Sequence, residues 1–190
     1  MPDTHNNMLL KNHFLIAMPS LRDPNFSRSV TLICEHDQHG AIGLVVNRPT
    51  SIKLDELFTQ LNLECHEPKI GNASVLAGGP VSPENGFVLH RPVGSWDNTL
   101  GITDDMGLTT SIDILRAIAD GAGPNDVIVA LGYAGWSAGQ LENEVAENAW
   151  LTHPADSDML FNTPREELWN TAAKAIGVDM SLLSHDAGHA

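Results

Sequence analysis

The residues best suited to chemistry lie at 135–139, where the chain reads Gly-Trp-Ser-Ala-Gly. This spacing matches the Gly-x-Ser-x-Gly pattern of serine hydrolases, in which a sharp turn between a strand and a helix exposes the serine hydroxyl. An apolar run precedes the pattern and an amphipathic run follows it. Downstream aspartates and histidines, such as Asp179 and His185, could complete a triad in the order Ser, Asp, His. The sequence therefore allows Ser137 as a nucleophile.

The same serine has a structural interpretation, which we favour. Ser137 and Gln140 have the spacing of a capping box, in which a serine opens a helix and the third residue of that helix bonds back to it. Such a cap stabilises a helix by about 1 kcal/mol and needs no catalytic role. The preceding sequence also lacks the alternation of strands and helices that builds a parallel sheet. We therefore predict that Ser137 caps a helix, and we favour a non-enzymatic protein with the hydrolase as the alternative.

Nine histidines raise the question of a metal site. His36 and His39 flank a polar turn, but zinc needs three or four ligands, and no Cys-x-x-Cys or His-Glu-x-x-His motif is present. We expect solvated turn histidines, no metal site and no cofactor.

Cys34 lies in an apolar run and is predicted to be buried, whereas the reactivity of Cys65 stays open.

Two other segments could present main-chain N–H groups to an anion. They are the glycine pair Gly78 and Gly79, and a predicted helix start at Thr109, Thr110 and Ser111. Neither has the spacing of a P-loop or of a dinucleotide-binding loop. Glycines also serve tight turns in which a side chain would clash. Both interpretations stay open.

The composition is that of one ordinary globular domain. The chain has 190 residues, of which 42% are hydrophobic and 18% charged. No apolar run reaches the roughly 18 residues that a membrane helix needs. With two cysteines and no apolar signal core near the start, we expect a cytoplasmic protein with reduced thiols. We predict a single domain over 1–190, with a flexible segment at 1–12 and a tail at 184–190.

The charge excludes some partners. The net charge is −14, of which −11 falls in residues 91–190. Nucleic-acid binding depends on lysine and arginine displacing counterions from phosphates, and an acidic surface opposes this at long range. Direct binding to nucleic acid, and attachment to anionic membranes, are therefore disfavoured.

Hydrophobic patterns predict an α+β fold with a mostly antiparallel or mixed sheet. Two β-branched runs around residues 37–40 predict a hairpin, and Pro83 to Gly86 predicts a turn. The predicted strands cover 14–18, 30–36, 41–46, 74–77, 87–90, 99–102, 106–109, 127–131 and 150–153. The predicted helices cover 53–62, 110–121 with a capping box at Thr110 and Asp113, 138–149, and 164–176 with Thr163 as N-cap, Pro164 first, Glu166 third and Gly177 after the end.

Several motifs together resemble the YqgE/AlgH family of bacterial proteins. They are Phe-Leu-Ile-Ala-Met-Pro at 14–19, Asp-Pro-Asn-Phe at 23–26, Asn-Arg-Pro at 47–49, Gly-Gly-Pro-Val at 78–81, Gly-Phe-Val-Leu-His at 86–90, the string at 131–142, and Asn-Ala-Trp-Leu at 148–151. The resemblance covers the chain after Leu9. It implies a single α+β domain with a bifurcated or barrel-like sheet surrounded by helices. The family took one name from a proposed role in alginate production, and its members are often described as proposed transcriptional regulators.

The resemblance supplies no catalytic residues, and its string leaves the position of Ser137 free to vary. We therefore predict a non-enzymatic regulatory or binding protein that acts through a protein or a small ligand. The alternatives are a serine hydrolase that uses Ser137, and a direct DNA-binding regulator. The predicted binding face combines the glycine-rich and hydroxyl-rich turns, and consists of Gly78, Gly79, Thr109, Thr110, Ser111, Tyr133, Trp136 and Gly139.

Overall fold

The computed structural model describes residues 9–185, which form strands and helices in an α+β order. The strands are β1 His13–Ala17, β2 Val30–Asp37, β3 Gly40–Val45, β4 Pro49–Lys53, β5 Ser74–Ala77, β6 Val81–Arg91, β7 Thr99–Gly101, β8 Gly107–Thr109, β9 Asp126–Ser137 and β10 Trp150–Pro154. The helices are α1 Leu54–Gln60, α2 Pro68–Gly71, α3 Ile112–Ala119, α4 Gln140–Ala146, α5 Ser157–Asn162, α6 Leu168–Ala175 and α7 Met180–His185. A 3₁₀ turn at Arg165–Glu167 precedes α6. None of these helices is long and apolar enough to cross a membrane.

The long strand β9 joins two parts of the sheet. The path of neighbouring strands is β10-β1-β2-β3-β9-β6-β8-β7, and every pair along it is antiparallel. The second half of β9 pairs with β3, whereas its first half pairs with β6 on one edge and, in parallel, with β5 on the other. β4 then pairs with β5. The curled, forked sheet confirms the predicted α+β class.

Glycines make the fork at β9 possible. Gly78 donates its N–H to Leu131 and accepts from the N–H of Val45, both at 2.8 Å, so it bridges the end of β3 and the middle of β9. A Cβ atom on Gly78 would lie 2.3 Å from the Gly132 carbonyl oxygen. Gly132 has φ of +76°, and a Cβ atom there would lie 2.3 Å from the Gly79 carbonyl oxygen. The two segments approach this closely only because they lack side chains.

Apolar side chains alternate between the two faces of the sheet, as the period of two in a strand requires. In β1, Phe14 belongs to the main core between the two parts of the sheet, whereas Leu15 belongs to a second cluster that packs against α4. In β6, Leu89 faces the main core and Val88 faces a third cluster formed with α1 and α3. Each part of the sheet is therefore covered on both faces.

The structure corrects three local predictions. Pro83 and Gly86 lie inside β6, at an irregularity where the pairing with β9 shifts, and not in a turn. Helix α3 has Ser111 and not Thr110 as its N-cap residue. Pro164 precedes a 3₁₀ turn and α6 begins only at Leu168, because Thr163 ends α5. Sequence patterns also missed β4, α2, α5 and α7.

Both predicted end segments fall partly outside the described residues. Residues 1–8 lie outside the described part of the chain. Leu10 is buried, and the N–H of Asn12 donates to the Ile33 carbonyl at 2.8 Å. Leu10 and Asn12 therefore contact the rest of the fold, and the flexible segment at 1–12 stays a prediction. The predicted tail begins within α7, and residues 186–190 lie outside the described part.

Candidate functional site

Ser137 is the last residue of β9 and does not cap α4. Strand pairing continues through Ser137 opposite Gly40, so the helix begins only after a left-handed turn at Gly139, which has φ of +76° and is the N-cap residue. The N–H of Ser137 donates to Gln140 Oε1 at 3.0 Å, and its hydroxyl donates to the same oxygen at 3.3 Å. Among residues 9–185 this is the only side-chain partner of the hydroxyl. The predicted cap is therefore wrong, although Gln140 does bond back to Ser137.

Gly78, Gly79 and Tyr133 meet at the fork. A Cβ atom on Gly79, which has φ of +153°, would lie 2.2 Å from the Tyr133 carbonyl oxygen. The Tyr133 ring packs edge-on against Phe87, with centroids 5.5 Å apart. These glycines thus have a folding reason that the sequence did not reveal, because they admit the neighbouring main chain.

Thr109 takes part in a buried series of side-chain hydrogen bonds and does not lie in an open turn. The Pro92 carbonyl can only accept, so the 2.9 Å bond to His90 Nδ1 places the imidazole hydrogen there. His90 Nε2 then accepts from the Thr109 hydroxyl at 2.6 Å, and Thr109 lies 2.7 Å from the hydroxyl of Thr99. Burial lowers the pKa of His90, and the bond to Pro92 opposes this shift. These surroundings therefore favour the neutral imidazole over the charged one.

Thr110 and Ser111 continue from β8 toward the surface. The Thr110 N–H donates to the Asn98 carbonyl at 3.3 Å. The Ser111 hydroxyl lies between the Asp97 carbonyl and the Asp113 carboxylate. Its bond to Asp113 is the main cause that lowers the pKa of that carboxyl group. Ser111 thus satisfies polar groups at the start of α3.

Trp136 lies near the far end of β9, and Gly139 follows that strand as the N-cap residue of α4. Trp136 is buried, packs with Phe26 and Trp150 at centroid distances of 6.1 and 6.3 Å, and donates from Nε1 to Glu144 at 2.6 Å. Burial raises the pKa of Glu144, and the bond from Trp136 opposes this shift. Nothing lies within 4 Å of a Cβ atom placed on Gly139.

The eight residues of the predicted binding face do not converge. Thr109 pairs with Val88, which pairs with Val129 near the start of β9. At about 3.3 Å per residue, Val129 and Trp136 are about 23 Å apart along the strand. The structure brings together Gly78, Gly79 and Tyr133 and leaves the other five elsewhere. Their binding roles stay a prediction.

The main cavity lies beside the first half of β9, and β4, β5 and the 3₁₀ turn also line it. It has a volume of about 590 Å³, within the range of small-molecule sites. Its lining residues are mainly apolar, and none of them belongs to the predicted face. They are Pro49, Leu54, Ile70, Ala73, Ser74, Leu76, Ile118, Gly121, Gly123, Pro124, Asn125, Val127, Ile128, Val129, Phe161, Arg165 and Glu166.

Arg165 is the cationic residue of the cavity wall. Its guanidinium donates to the main-chain carbonyls of Val46 and Thr163, both at 2.9 Å, and to that of Leu160. Within the described residues it has no carboxylate within ion-pair distance. Burial lowers the pKa of Arg165, and the charge of Glu166 opposes this shift. Sequence reasoning missed Arg165, since its partner Val46 is 119 positions away.

Arg91, near Phe161 at the same end of the sheet, is fully paired. Its guanidinium lies 2.8 Å from Asp126 and 3.0 Å from Asp158, and also donates to the Ser157 hydroxyl at 2.9 Å. It lies over the Phe161 ring at 5.3 Å from the centroid. Bonds to the two carboxylates raise the pKa of Arg91. Arg91 therefore ties β6, β9 and α5 together and has its charge neutralised.

The histidine turn and the thiols are also placed. His36 is buried, accepts the Leu10 N–H on Nδ1 at 2.9 Å and bonds through Nε2 to Glu142 at 2.8 Å. The prediction of solvated histidines is therefore wrong for His36, whereas His39 is exposed as predicted. No group of three or more His, Cys, Asp or Glu within residues 9–185 could hold a metal ion. Cys34 is buried as predicted, and burial raises the pKa of its thiol to about 12.

Comparisons with known proteins agree over nearly the whole chain. A family model described as AlgH-like matches residues 14–181. A UPF0301 protein of Nitrosococcus oceani is 53% identical over 180 residues, covering 95% of this chain and 96% of the relative. One of Saccharophagus degradans is 54% identical over 181 residues, covering 95% and 89%.

Two solved structures share the fold. The solution structure of the AlgH protein from Pseudomonas aeruginosa has a TM-score of 0.79 and 47% identity, and the match covers 96% of this chain and 97% of that one. A crystal structure of a Corynebacterium diphtheriae protein has a TM-score of 0.72 at 18% identity, covering 92% and 91%, and shows the likeness of the fold alone.

Proposed function

This chain belongs to the AlgH-like family, and we propose that it is a non-enzymatic regulatory protein that binds a small molecule in the main cavity. The observation that carries the proposal is the cavity itself, about 590 Å³ between β5, β9 and the 3₁₀ turn. Small-molecule sites are concave and mostly apolar, with a few polar groups that orient the ligand. Here Leu54, Ile118 and Phe161 supply apolar walls, and Arg165 supplies a charge.

The surroundings of Ser137 favour binding over acyl transfer. A serine nucleophile needs a general base within hydrogen-bond reach, itself oriented by a third group. The Ser137 hydroxyl instead bonds to the Gln140 amide oxygen, which accepts its hydrogen at 3.3 Å but cannot serve as a base. An amide in that place gives the serine a partner without raising its nucleophilicity.

The charge favours a ligand or protein over DNA as the immediate partner. The net charge of −14 repels a phosphate backbone, so any effect on transcription would pass through another molecule. Fluorescence anisotropy with a labelled duplex at low and moderate salt checks this point. We expect no salt-dependent binding, and binding that weakens steeply with salt would support the DNA-binding alternative.

The cavity is tested with the neutral apolar dye N-phenyl-1-naphthylamine. Ala73 is an exposed residue of the cavity wall, so Ala73→Trp should fill the mouth without disturbing the core. Ala138 is an exposed alanine in the open turn after Ser137, and Ala138→Trp is the matched control. We expect the dye to bind the wild type and the control, and to bind Ala73→Trp at least tenfold more weakly.

The same pair of variants separates the two candidate surfaces. If Ala138→Trp abolishes dye binding and Ala73→Trp does not, the turn at 135–139 is the site and the cavity is not. If the wild type binds no dye, or if both variants bind like the wild type, the proposal of a cavity ligand fails.

A protein partner at the fork is the second candidate. Ile42 and Val81 are exposed at 41% and 37%, and a Cβ atom on Gly135 would lie 3.6 Å from the Tyr133 ring. Such a cluster of exposed apolar groups is typical of a contact surface. Complementation of a deletion strain tests it, because Ile42→Lys combined with Val81→Lys should lose function while keeping dye binding. Full complementation would exclude this surface.

A further inference from the structure

We infer that the ligand of the main cavity carries an anionic group which binds beside Arg165, with an apolar body packed against the rest of the wall. This inference rests on the proposed function and narrows it to a chemical class, an amphiphilic monoanion such as a carboxylate or sulfonate with a ring or chain. The juxtaposition that supports it is a partly buried guanidinium without an ion-pair partner among the described residues, in a cavity wall whose residues are mainly apolar.

The hydrogen bonds of Arg165 leave donor capacity unused. A guanidinium has five N–H groups. The carbonyls of Val46, Leu160 and Thr163 accept from three of them, on Nη1 and Nη2. The Nε–H and the second Nη1–H have no partner among the described residues. The carbonyls fix the guanidinium in place but carry only partial charge, so its full positive charge is not neutralised.

Arg91 is paired by carboxylates within the chain, whereas Arg48 and Arg165 bond to main-chain carbonyls, and of these two only Arg165 lines the cavity. Asp126 and Asp158 both lie within ion-pair distance of Arg91. Partly buried charges are ordinarily paired, because an unpaired charge in a low-dielectric site is costly. Among the described residues Arg165 has no such partner, although acidic residues outnumber basic ones 24 to 10 in the whole chain. A ligand anion would supply the missing charge.

Glu166 lies in the same wall and must be weighed against this inference. It is exposed, it lies beyond ion-pair distance of Arg165, and its charge still acts on Arg165. Glu166 would therefore repel a bound anion across the cavity mouth and weaken its binding.

The apolar part of the wall defines the other half of the ligand. Leu54, Leu76 and Ile118 come from three different elements and face the same space as Phe161. These three side chains are already buried, so the apolar area that a ring or chain could remove from water comes from the partly exposed Ile70, Val127 and Phe161. Arg165 lies in the 3₁₀ turn that follows α5. A charged group bound beside it would fix the orientation of the ligand in the cavity.

The experiment compares two dyes of similar shape. One is 1-anilinonaphthalene-8-sulfonate, which is an anion, and the other is the neutral N-phenyl-1-naphthylamine. Both are titrated into the wild type, Arg165→Gln, Glu166→Gln and the control Arg22→Gln, which removes an exposed arginine outside the cavity. Circular dichroism and thermal unfolding verify that each variant is folded.

We expect Arg165→Gln to weaken the anionic dye by about tenfold or more, the range for losing a hydrogen bond to a charged group, and to leave the neutral dye within twofold. Glu166→Gln should tighten the anionic dye by about twofold to fivefold, as for a partly exposed charge pair. Arg22→Gln should change neither dye.

Three outcomes would overturn the inference. Arg165→Gln could bind the anionic dye like the wild type, or it could lose both dyes equally, which would show a structural role. Glu166→Gln could leave the anionic dye unchanged or weaken it. If Arg165→Gln does not fold, the exposed Glu166 variant decides alone by the sign of its effect. The neutral dye and Ala73→Trp test the cavity separately, so the cavity can survive while the anionic group is rejected.

Discussion

The two halves of β9 differ in sequence, apolar over 127–131 and rich in glycine and aromatic residues over 132–136, and they also differ in their surroundings. The first half is enclosed by β5 and β6, and it ends at Gly132, where the main chain of Gly78 and Gly79 approaches. The second half pairs with β3 and ends in an open turn at Ser137 and Gly139. Close approaches of main chain occur beside both halves, since a Cβ atom on Gly40, opposite Ser137, would lie 2.1 Å from the Trp136 carbonyl oxygen, whereas nothing lies within 4 Å of one on Gly139. Glycine content alone therefore does not indicate a binding site.

The largest expected effect contrasts the two kinds of glycine. Gly78→Ala places a methyl group 2.3 Å from the Gly132 carbonyl oxygen, so main chain must move and we expect a loss of about 3 kcal/mol or more. Gly139→Ala meets nothing within 4 Å and pays only for a left-handed backbone, about 1 kcal/mol. Urea unfolding of both variants measures the difference. Equal losses would show that the fork is not the crowded point described here.

Thiol labelling compares the accessibility of Cys34 in the interior with that of Cys65 near the surface. Cys34 lies in β2 and is fully buried, and its pKa of about 12 leaves about one thiolate in 10⁴ at pH 8. Cys65 is partly exposed in the loop after α1. We expect one thiol, Cys65, to react promptly with an aromatic disulfide reagent, and Cys34 to react only at the rate of unfolding. Cys65→Ser is the control, and prompt labelling of that variant would contradict the buried position of Cys34.

Acid should lower the free energy of unfolding by a smaller amount, through His90 beside the first half of β9. His90 pairs with Val127, and burial lowers its pKa below the ordinary value of 6.5. Between the lowered pKa and 6.5 the unfolded chain therefore binds more protons than the folded one, so the free energy of unfolding falls as pH drops below about 6.5. Above that pH the contribution of His90 is constant.

His90→Asn isolates this contribution. An asparagine amide can still donate toward the Pro92 carbonyl but does not titrate. We expect the variant to be less stable at every pH and to lose part of the slope between pH 6.5 and 5. Urea unfolding across that range measures it, with His39→Asn at an exposed position as the control. An unchanged slope in His90→Asn would assign the acid sensitivity to other groups.

The parts of the fold that sequence predicts are those set by local patterns. The β2–β3 hairpin follows from two β-branched runs around residues 37–40, and the end of α6 follows from Gly177, which has φ of +78°. The family resemblance also predicted the forked sheet, which the comparisons confirm. Local patterns fail at Pro164, where a proline that usually begins a helix precedes a 3₁₀ turn.

The cavity and the reason for the glycines could not be predicted, because both depend on contacts between distant segments. Arg165 bonds to Val46 across 119 positions, and Gly78 packs against Gly132 across the fork. No spacing rule relates such residues in a single sequence. The predicted binding face was therefore assembled from residue types, whereas the cavity was formed by β5, β9 and the segment after α5.

The smallest expected effect is at Ser137, where the open end of β9 can be tested directly. The serine is exposed and its hydroxyl makes one bond of 3.3 Å, so Ser137→Ala should cost no more than about 0.5 kcal/mol. Gln140→Ala also removes the acceptor of the Ser137 N–H and should cost about 1 kcal/mol, as for a lost helix cap. Urea unfolding ranks the two variants, and hydrolysis of p-nitrophenyl acetate is followed in parallel. If Ser137→Ala were the more damaging change, or abolished hydrolysis that Gln140→Ala retains, the hydroxyl would have a role beyond this turn, and the open end of β9 would be the functional half.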